Sequence, residues 1–374
     1  MTAAREDHSE DRAKAGPGGP LRRGWTTGAC ATAATKAALT ALLTGAFPDP
    51  VEILLPKGER PAFALNRQRL FDGAAMASIV KDAGDDPDVT HLAEIVSTVR
   101  RGLPGTGIAF RAGPGVGTVT MPGLPIPPGE PAINPVPRAL MRGVVEALAQ
   151  EHGPCADLEI EIGVTGGEAL ARQTWNPRLG IVGGLSILGT TGIVHPFSCS
   201  AWIHSIHRGV DVARAAGLGH VVGSTGSTSE DAARRRFPEL PEIAYLDMGD
   251  FAGGLLKYLR LHPVPRLTIA GGFAKLAKLA QGAMDLHSGR SQVDLAFLAD
   301  LAASADKGDA LRASILSANT AKAALDLARH AGIDLGQAVA DQARARAEAL
   351  LRGADVAVDI LVVDRSGGGV GHAG

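Results

Sequence analysis

The chain has 374 residues, of which 45 % are apolar and 20 % charged, with 37 Lys+Arg against 39 Asp+Glu for a net charge of −2. That length accommodates two domains and that apolar content supports a large core, which excludes a wholly disordered chain. The near balance of charge excludes a general nucleic-acid or membrane-surface binder, so any attraction for an anionic ligand must be local.

Residues 1–20 mix both charge signs and contain no apolar run, which predicts a disordered tail rather than a signal peptide. From Leu21 to about Val194, short apolar runs alternate with Gly/Pro turns. Val51–Leu55, Ala74–Val80, Glu94–Val99, Gly117–Met121 and Leu158–Val164 read as strands, with a turn at Pro56–Gly58. One helix is predicted to begin near Thr27. A second follows Asn134-Pro135, with Leu140, Val144 and Leu148 on one face. This half reads as an α+β domain over 21–194. The uncharged stretch Leu179–Ile203 is long enough to span a bilayer. It holds five glycines and Pro196, however, which favours a buried strand–turn–helix passage.

Beyond Pro196, helices and strands alternate strictly. A helix carries Ile203, Ile206, Val210 and Ala213, and a strand follows at His220–Val222. Then come a helix at Glu230–Phe237, a strand ending at Leu246, a helix from Phe251, a strand at Leu267–Ala270 and a helix from Phe273. Val356–Val363 supplies a final strand. Such alternation implies parallel pairing, so 195–364 is expected to be a Rossmann-like, mostly parallel α/β domain, with 365–374 a Gly-rich tail. Cys30, Cys155 and Cys199 are too few and too scattered for a disulfide scaffold, which fits a cytoplasmic setting.

Open α/β sheets bind ligands beyond the carboxyl ends of their strands. Three such ends stand out: Gly223-Ser224-Thr225-Gly226, then Asp247, Gly249 and Asp250, then Gly271-Gly272. Asp247 lies roughly 24 residues after Gly223, near the spacing at which a carboxylate accepts from ribose hydroxyls. No GxxxxGK[ST] and no full GxGxxG occurs, so a nucleoside without phosphates fits better than ATP or NAD. S-adenosylmethionine is the obvious member of that class. Shaping of ordinary turns and helix capping is the plainer alternative for each loop.

Elsewhere, Thr26, Thr27 and Gly28 open a helix, as an anion site or a simple cap. Val80–His91 packs Lys81, Asp82, Asp85, Asp86, Asp88 and His91 into twelve residues, as a solvated turn or a substrate-contacting loop. His195, Cys199, His204 and His207 only loosely suggest zinc ligation, and no metal is expected. Lys275, Lys278, Asp285, His287, Arg290 and Ser291 read either as solubilising groups or as a carboxylate-binding and acid/base patch beside the crevice.

The segments Arg22–Ala38, Val80–His91, Gly189–Ser198, Met248–Phe251, Ala274–Asp294 and Ala318–Ala321 together resemble, in order, the motifs of the CbiD family. The resemblance runs from about Arg22 to about Asp364. It implies methyl transfer from S-adenosylmethionine to ring carbon 1 of a cobalt-precorrin, a tetrapyrrole polycarboxylate, in cobalamin biosynthesis. Such a transfer gains mainly from holding two centres aligned.

On this reading the first domain binds the tetrapyrrole and the second binds the methyl donor, with the substrate between them. Thr26, Thr27, Gly28, Lys81, Lys275, Lys278, Arg290 and Ser291 are expected to contact substrate. His287 is the candidate base, with Asp82 and His91 behind it. A nicotinamide-dependent oxidoreductase and a non-catalytic tetrapyrrole carrier are the competing readings. Homo-oligomerisation is left open.

Overall fold

The computed structural model describes residues 19–155, 157–303 and 308–374, so the expected tail lies outside them except for Gly19 and Pro20. The described residues form two compact units divided between Cys199 and Ser200.

In the first unit, α1 (Thr27–Thr44) is capped by Thr26, whose hydroxyl accepts from the Ala29 amide at 3.2 Å. Small residues (Ala29, Ala33, Ala34, Ala37, Ala38) bury it on nearly every side, so sheet and helix neighbours approach its backbone closely. The sheet comprises β1 (Arg67–Phe71), β2 (Ala74–Val80), β3 (Glu94–Arg101), β4 (Ile108–Ala112) and, after α2 (Pro135–His152), β5 (Leu158–Val164). Its order is β1-β2-β3-β5-β4, antiparallel except for the parallel pair β4/β5.

Three details differ from the sequence reading. The buried stripe of α2 is Pro137, Met141, Val145 and Leu148; Leu140 and Val144 sit at its margin, one residue around the helix. The strands expected at Val51–Leu55 and Gly117–Met121 form regular ladders only at Val51–Glu52 and Thr118–Val119, although single amide bonds continue from Ile53 to the Pro61 carbonyl and from Thr120 to the Gly180 carbonyl. Opposite Ile53 stands Pro61, which offers no N–H to return the bond.

The second unit begins at the second residue of α3 (Cys199–Ala215) and contains β6 (His220–Ser224), α4 (Ser227–Arg236), β7 (Tyr245–Asp247), α5 (Ala252–Leu261), β8 (Arg266–Gly272) and α6 (Phe273–Ala280). Four helices that the sequence reading did not anticipate follow: α7 (Leu295–Ala303), α8 (Gly308–Leu316), α9 (Ala321–His330) and α10 (Leu335–Leu351). The chain ends with β9 (Ala357–Val363) and β10 (Gly369–Ala373). The sheet order is β7-β6-β8-β9-β10, with the first four strands mutually parallel and β10 antiparallel. One face packs Ile206, Val210, Leu255, Leu276, Val339 and their neighbours into the main core. The other face, with Tyr245, Leu361 and Val363, is covered by Ala232 and Ala233 of α4 and by Phe237.

The expectation of a Gly-rich tail at 365–374 is corrected: Gly369–Ala373 is the edge strand. Its glycines allow this. A Cβ on Gly336 would stand 1.8 Å from the Val370 carbonyl oxygen, so α10 and β10 meet backbone to backbone. The Gln337 side chain then donates to the His372 carbonyl and accepts from its amide, at 2.7 and 3.1 Å.

The fold is thus mixed α/β, with sheets of mixed strand orientation. No helix among the described residues is long and apolar enough to cross a membrane. The uncharged stretch 179–203 is broken by short strands at Ile181–Val182 and Ile193–Val194 before it enters α3.

Candidate functional site

In the second unit the register aligns three strand ends: Ser224 lies opposite Asp247 on one side and Ala270 on the other. Backbone bonds lace them beyond the sheet. The Thr225 amide donates to the Ala270 carbonyl at 3.0 Å, and the Gly249 amide donates to the Ser224 carbonyl at 3.1 Å. Gly223–Gly226, Asp247–Asp250 and Gly271-Gly272 therefore form one rim. Gly226 and Gly272 precede α4 and α6, and a Cβ at either would meet nothing within 4 Å. Both present bare backbone to open space, beside helix N-terminal amides.

The rim holds two orphaned polar atoms. Ser224 is 1 % exposed, yet its hydroxyl has no hydrogen-bond partner among the described residues. Asp250 Oδ1 is buried without a directional hydrogen bond, although Lys275 Nζ stands 3.0 Å away. The two observations are compatible: the ammonium compensates the charge but lies off the line of a hydrogen bond. Lys275 also donates to the Thr225 carbonyl at 2.7 Å. Lys278, one turn on, is buried and donates to the Leu286 carbonyl at 2.8 Å. Burial, opposed by Asp250 and Asp285 and reinforced by Lys275, holds its ammonium below the usual lysine range.

The loop after α6 is tied to Asp285. Its carboxylate accepts from the His287 amide at 3.0 Å and from Arg290 Nη1 at 2.7 Å, and its carbonyl accepts from Ser291 Oγ at 2.7 Å. His287 is exposed, and its Nδ1 accepts from the Gly289 amide at 3.1 Å. The neutral ring thus presents its Nε2–H outward, where it can donate a hydrogen bond.

The other candidates belong to the first unit and are bound into its framework. Thr27 Oγ1 accepts from the Leu188 amide at 2.9 Å, and the Gly28 amide donates to the Leu188 carbonyl at 2.9 Å. Lys81 is 1 % exposed and pairs with Asp88 at 2.7 Å. Burial alone would raise the Asp88 pKa, but Lys81 and Thr90 hold it below the usual range.

Asp82 binds the Arg22 guanidinium and the Gly84 amide, which lower its pKa to about 2. His91 Nδ1 lies 3.9 Å from Asp82 but accepts from the Ala83 amide at 3.1 Å; the shorter, directed contact sets its tautomer. Asp85 accepts from the Arg22 amide and Asp86 from the Phe197 amide. The acidic segment is a knot that fastens residues 22 and 197, rather than a solvated turn.

Trp202 is a rim residue that sequence reasoning passed over. Its indole N–H donates to the Asp247 carbonyl at 3.1 Å, and the ring lies 3.3 Å from where a Cβ on Gly249 would stand. A tryptophan in a chain with only 4 % aromatics was the available signal. His207, by contrast, stacks on Tyr258 at 4.0 Å between ring centroids. Among the described residues no three His, Cys, Asp or Glu side chains converge as a metal site.

Comparison with known proteins gives three findings. The CbiD family profile matches residues 14–196, and that of the CbiD C-terminal domain matches 285–374. Relatives from Brucella anthropi and Brucella ovis are 67 % and 66 % identical over 347 residues, 93 % of this chain and 94 % of theirs. Both are named cobalt-precorrin-5B C(1)-methyltransferase. A crystal structure of a cobalamin biosynthesis protein (cbiD) from Archaeoglobus fulgidus aligns with 73 % of this chain and 84 % of its own, at 28 % identity and a TM-score of 0.40.

Proposed function

This chain belongs to the CbiD family, and from that premise we infer that it is a cobalt-precorrin-5B C(1)-methyltransferase of cobalamin biosynthesis. We propose S-adenosylmethionine as its methyl donor, held at the strand-end rim of a Rossmann-like second unit. The supporting observation is the pair of orphaned buried atoms, Ser224 Oγ and Asp250 Oδ1, beside the bare backbone of Gly226 and Gly272. Buried polar groups are normally satisfied, so two unsatisfied ones on one rim fit a polar ligand that completes them.

When bound, the sulfonium supplies an electrophilic methyl group. The chain's residues bind and orient around it. Asp247, at the end of β7, is placed to accept from ribose hydroxyls. Gly226 and Gly272 let the ligand approach the backbone, and the Trp202 indole holds the Asp247 carbonyl. Asp250 carries negative charge suited to the donor's ammonium group. Lys275, Arg290 and Ser291 supply local attraction for a polycarboxylate substrate despite the chain's net charge of −2. Thr26, Thr27, Gly28, Lys81, Asp82 and His91 serve by holding the first unit's loops in place. His287, with its Nε2–H outward, can donate a hydrogen bond to a substrate carboxylate; to act as the base it has to release the Gly289 amide from Nδ1. The free, buried thiols of Cys30 and Cys155 suit a cytoplasmic enzyme.

Calorimetric titration with S-adenosylhomocysteine and with NAD tests this reading. Only the first is expected to bind, and Asp247→Ala is expected to weaken it about tenfold, the cost of one charge-assisted hydrogen bond. Unchanged affinity in a folded Asp247→Ala protein would remove the ribose assignment. Tight NAD binding would favour the oxidoreductase alternative.

A further inference from the structure

A cavity of about 650 Å³ opens in the second unit, lined by residues that none of the preceding chemistry uses. Its lining is more polar than apolar: Ile333 and Val370 are partly exposed there, Leu325, Leu335 and Leu361 are buried behind them, and the edge strand contributes the bare backbone of Gly369 and Gly371. Two guanidiniums, Arg236 and Arg329, stand on its wall together with His372. That volume lies in the range of small-molecule sites, and the polar lining suits a polar ligand.

The two guanidiniums on this wall form no ion pair among the described residues. Arg234, Arg235 and Arg236 are consecutive, and the first two are engaged: Arg234 pairs with Glu230 and Glu242, and Arg235 donates to the Gly367 carbonyl at 3.0 Å. Arg236 makes no hydrogen bond or ion pair among the described residues; it only lies 5.9 Å from the Phe237 ring. Arg329 likewise has no ion pair among them, although Asp326 and Asp364 are near enough to feel its charge. Both arginines close helices, where a cation favours the dipole. That placement accounts for their positions but not for their convergence on one cavity.

His372 adds an independent sign. Its Nε2 is buried and has no hydrogen-bond partner among the described residues. Burial and the Arg236 charge both favour the neutral ring, against the weaker pull of Asp359. A neutral imidazole can donate one hydrogen bond to an anion while the arginines neutralise it. The one acid on the wall, Asp334, is occupied in capping α10 through the Gln337 amide at 2.9 Å.

We propose that this cavity is a second ligand site, separate from the strand-end rim, which takes a small organic anion: a carboxylate or phosphate on a short apolar body. Arg236 and Arg329 hold the charged head, His372 Nε2 completes its hydrogen bonding, and the partly exposed Ile333 and Val370 border the body. Bidentate guanidinium contacts suit either head group.

The test is titration of the full chain at low salt with inorganic phosphate and, separately, with glutarate, read by calorimetry and by amide NMR shifts. Saturable binding by at least one probe is expected, with shifts centred on the amides of Gly369, Gly371 and His372. Phosphate alone binding identifies a phosphorylated ligand, and glutarate alone a carboxylate. Arg236→Gln/Arg329→Gln should weaken binding at least tenfold and leave S-adenosylhomocysteine affinity unchanged, which separates this site from the rim. Both arginines are exposed, so that variant is expected to fold; His372→Phe provides a second probe that leaves the guanidiniums in place. Absence of binding by both probes, or binding that survives the double substitution, overturns the proposal.

Discussion

Lys275 Nζ lies 3.0 Å from Asp250 Oδ1, joining the residue that follows β7 to the helix that follows β8. The same ammonium donates to the Thr225 carbonyl beyond β6, so one side chain ties three strand ends together. Each of those ends contributes a loop to the rim, and the lysine adds a side-chain tie to the backbone bonds that already lace them.

Lys275→Met is therefore expected to loosen the rim. The lysine is 37 % exposed, so the stability loss should be modest, about 1 kcal/mol by urea denaturation. S-adenosylhomocysteine affinity should fall more noticeably, because the Thr225 and Asp250 loops lose the side chain that ties them together. A variant with reduced stability but native affinity would show that the tie does not shape the site.

Ser224→Ala is expected to act in opposite directions on folding and binding. Removing a buried hydroxyl that has no partner should raise the stability of the ligand-free chain by about 1 kcal/mol. If the ligand uses that hydroxyl, affinity for S-adenosylhomocysteine should drop about five- to tenfold. Paired thermal melts, with and without ligand, report both effects in one experiment.

Gly336→Ala tests the closing of the second sheet. A methyl 1.8 Å from the Val370 carbonyl oxygen cannot be accommodated without moving β10 off α10. The expected loss is about 1–3 kcal/mol, with faster hydrogen exchange confined first to Gly369–Ala373. Native exchange in that strand would contradict the backbone contact.

Glu94 sets an acid limit on the first unit. Its side chain is 13 % exposed and accepts from Arg67, Asn66, Ser78 and Thr165. Burial alone would raise its pKa, but these donors hold it at about 2 against a usual 4.5. The folded value lies below the unfolded one. The associated stability, on the order of 3 kcal/mol, is therefore complete above about pH 5 and is lost as pH falls toward 2. Glu94→Gln should be less stable at pH 7 and should lose less on acidification to pH 2.5, as judged by urea midpoints.

Much of this protein could be read in the linear chain, because the signals were local. Thr26 before an alanine-rich run marks a capped helix, and Ala74–Val80 and Leu158–Val164 were assigned to the residue by apolar runs bounded by polar or turn residues. The alternation after Pro196 sufficed to align Ser224, Asp247 and Gly271 at strand ends, since parallel strands joined by helices must end on the same edge.

Other features depended on partners distant in sequence. Glycines in 367–374 look like a flexible end until Gly336, more than thirty residues earlier, makes a backbone contact that only glycine permits. Lys81, Asp82 and His91 carry the residue types of a reactive loop, yet Asp88, Arg22 and the Ala83 amide take up their hydrogen bonds. The composition of a segment determines which bonds its side chains can make. Only the folded chain decides which of those bonds are already made inside the protein and which, as at Ser224 Oγ and Asp250 Oδ1, are not made among the described residues, because burial removes the water that would otherwise satisfy them.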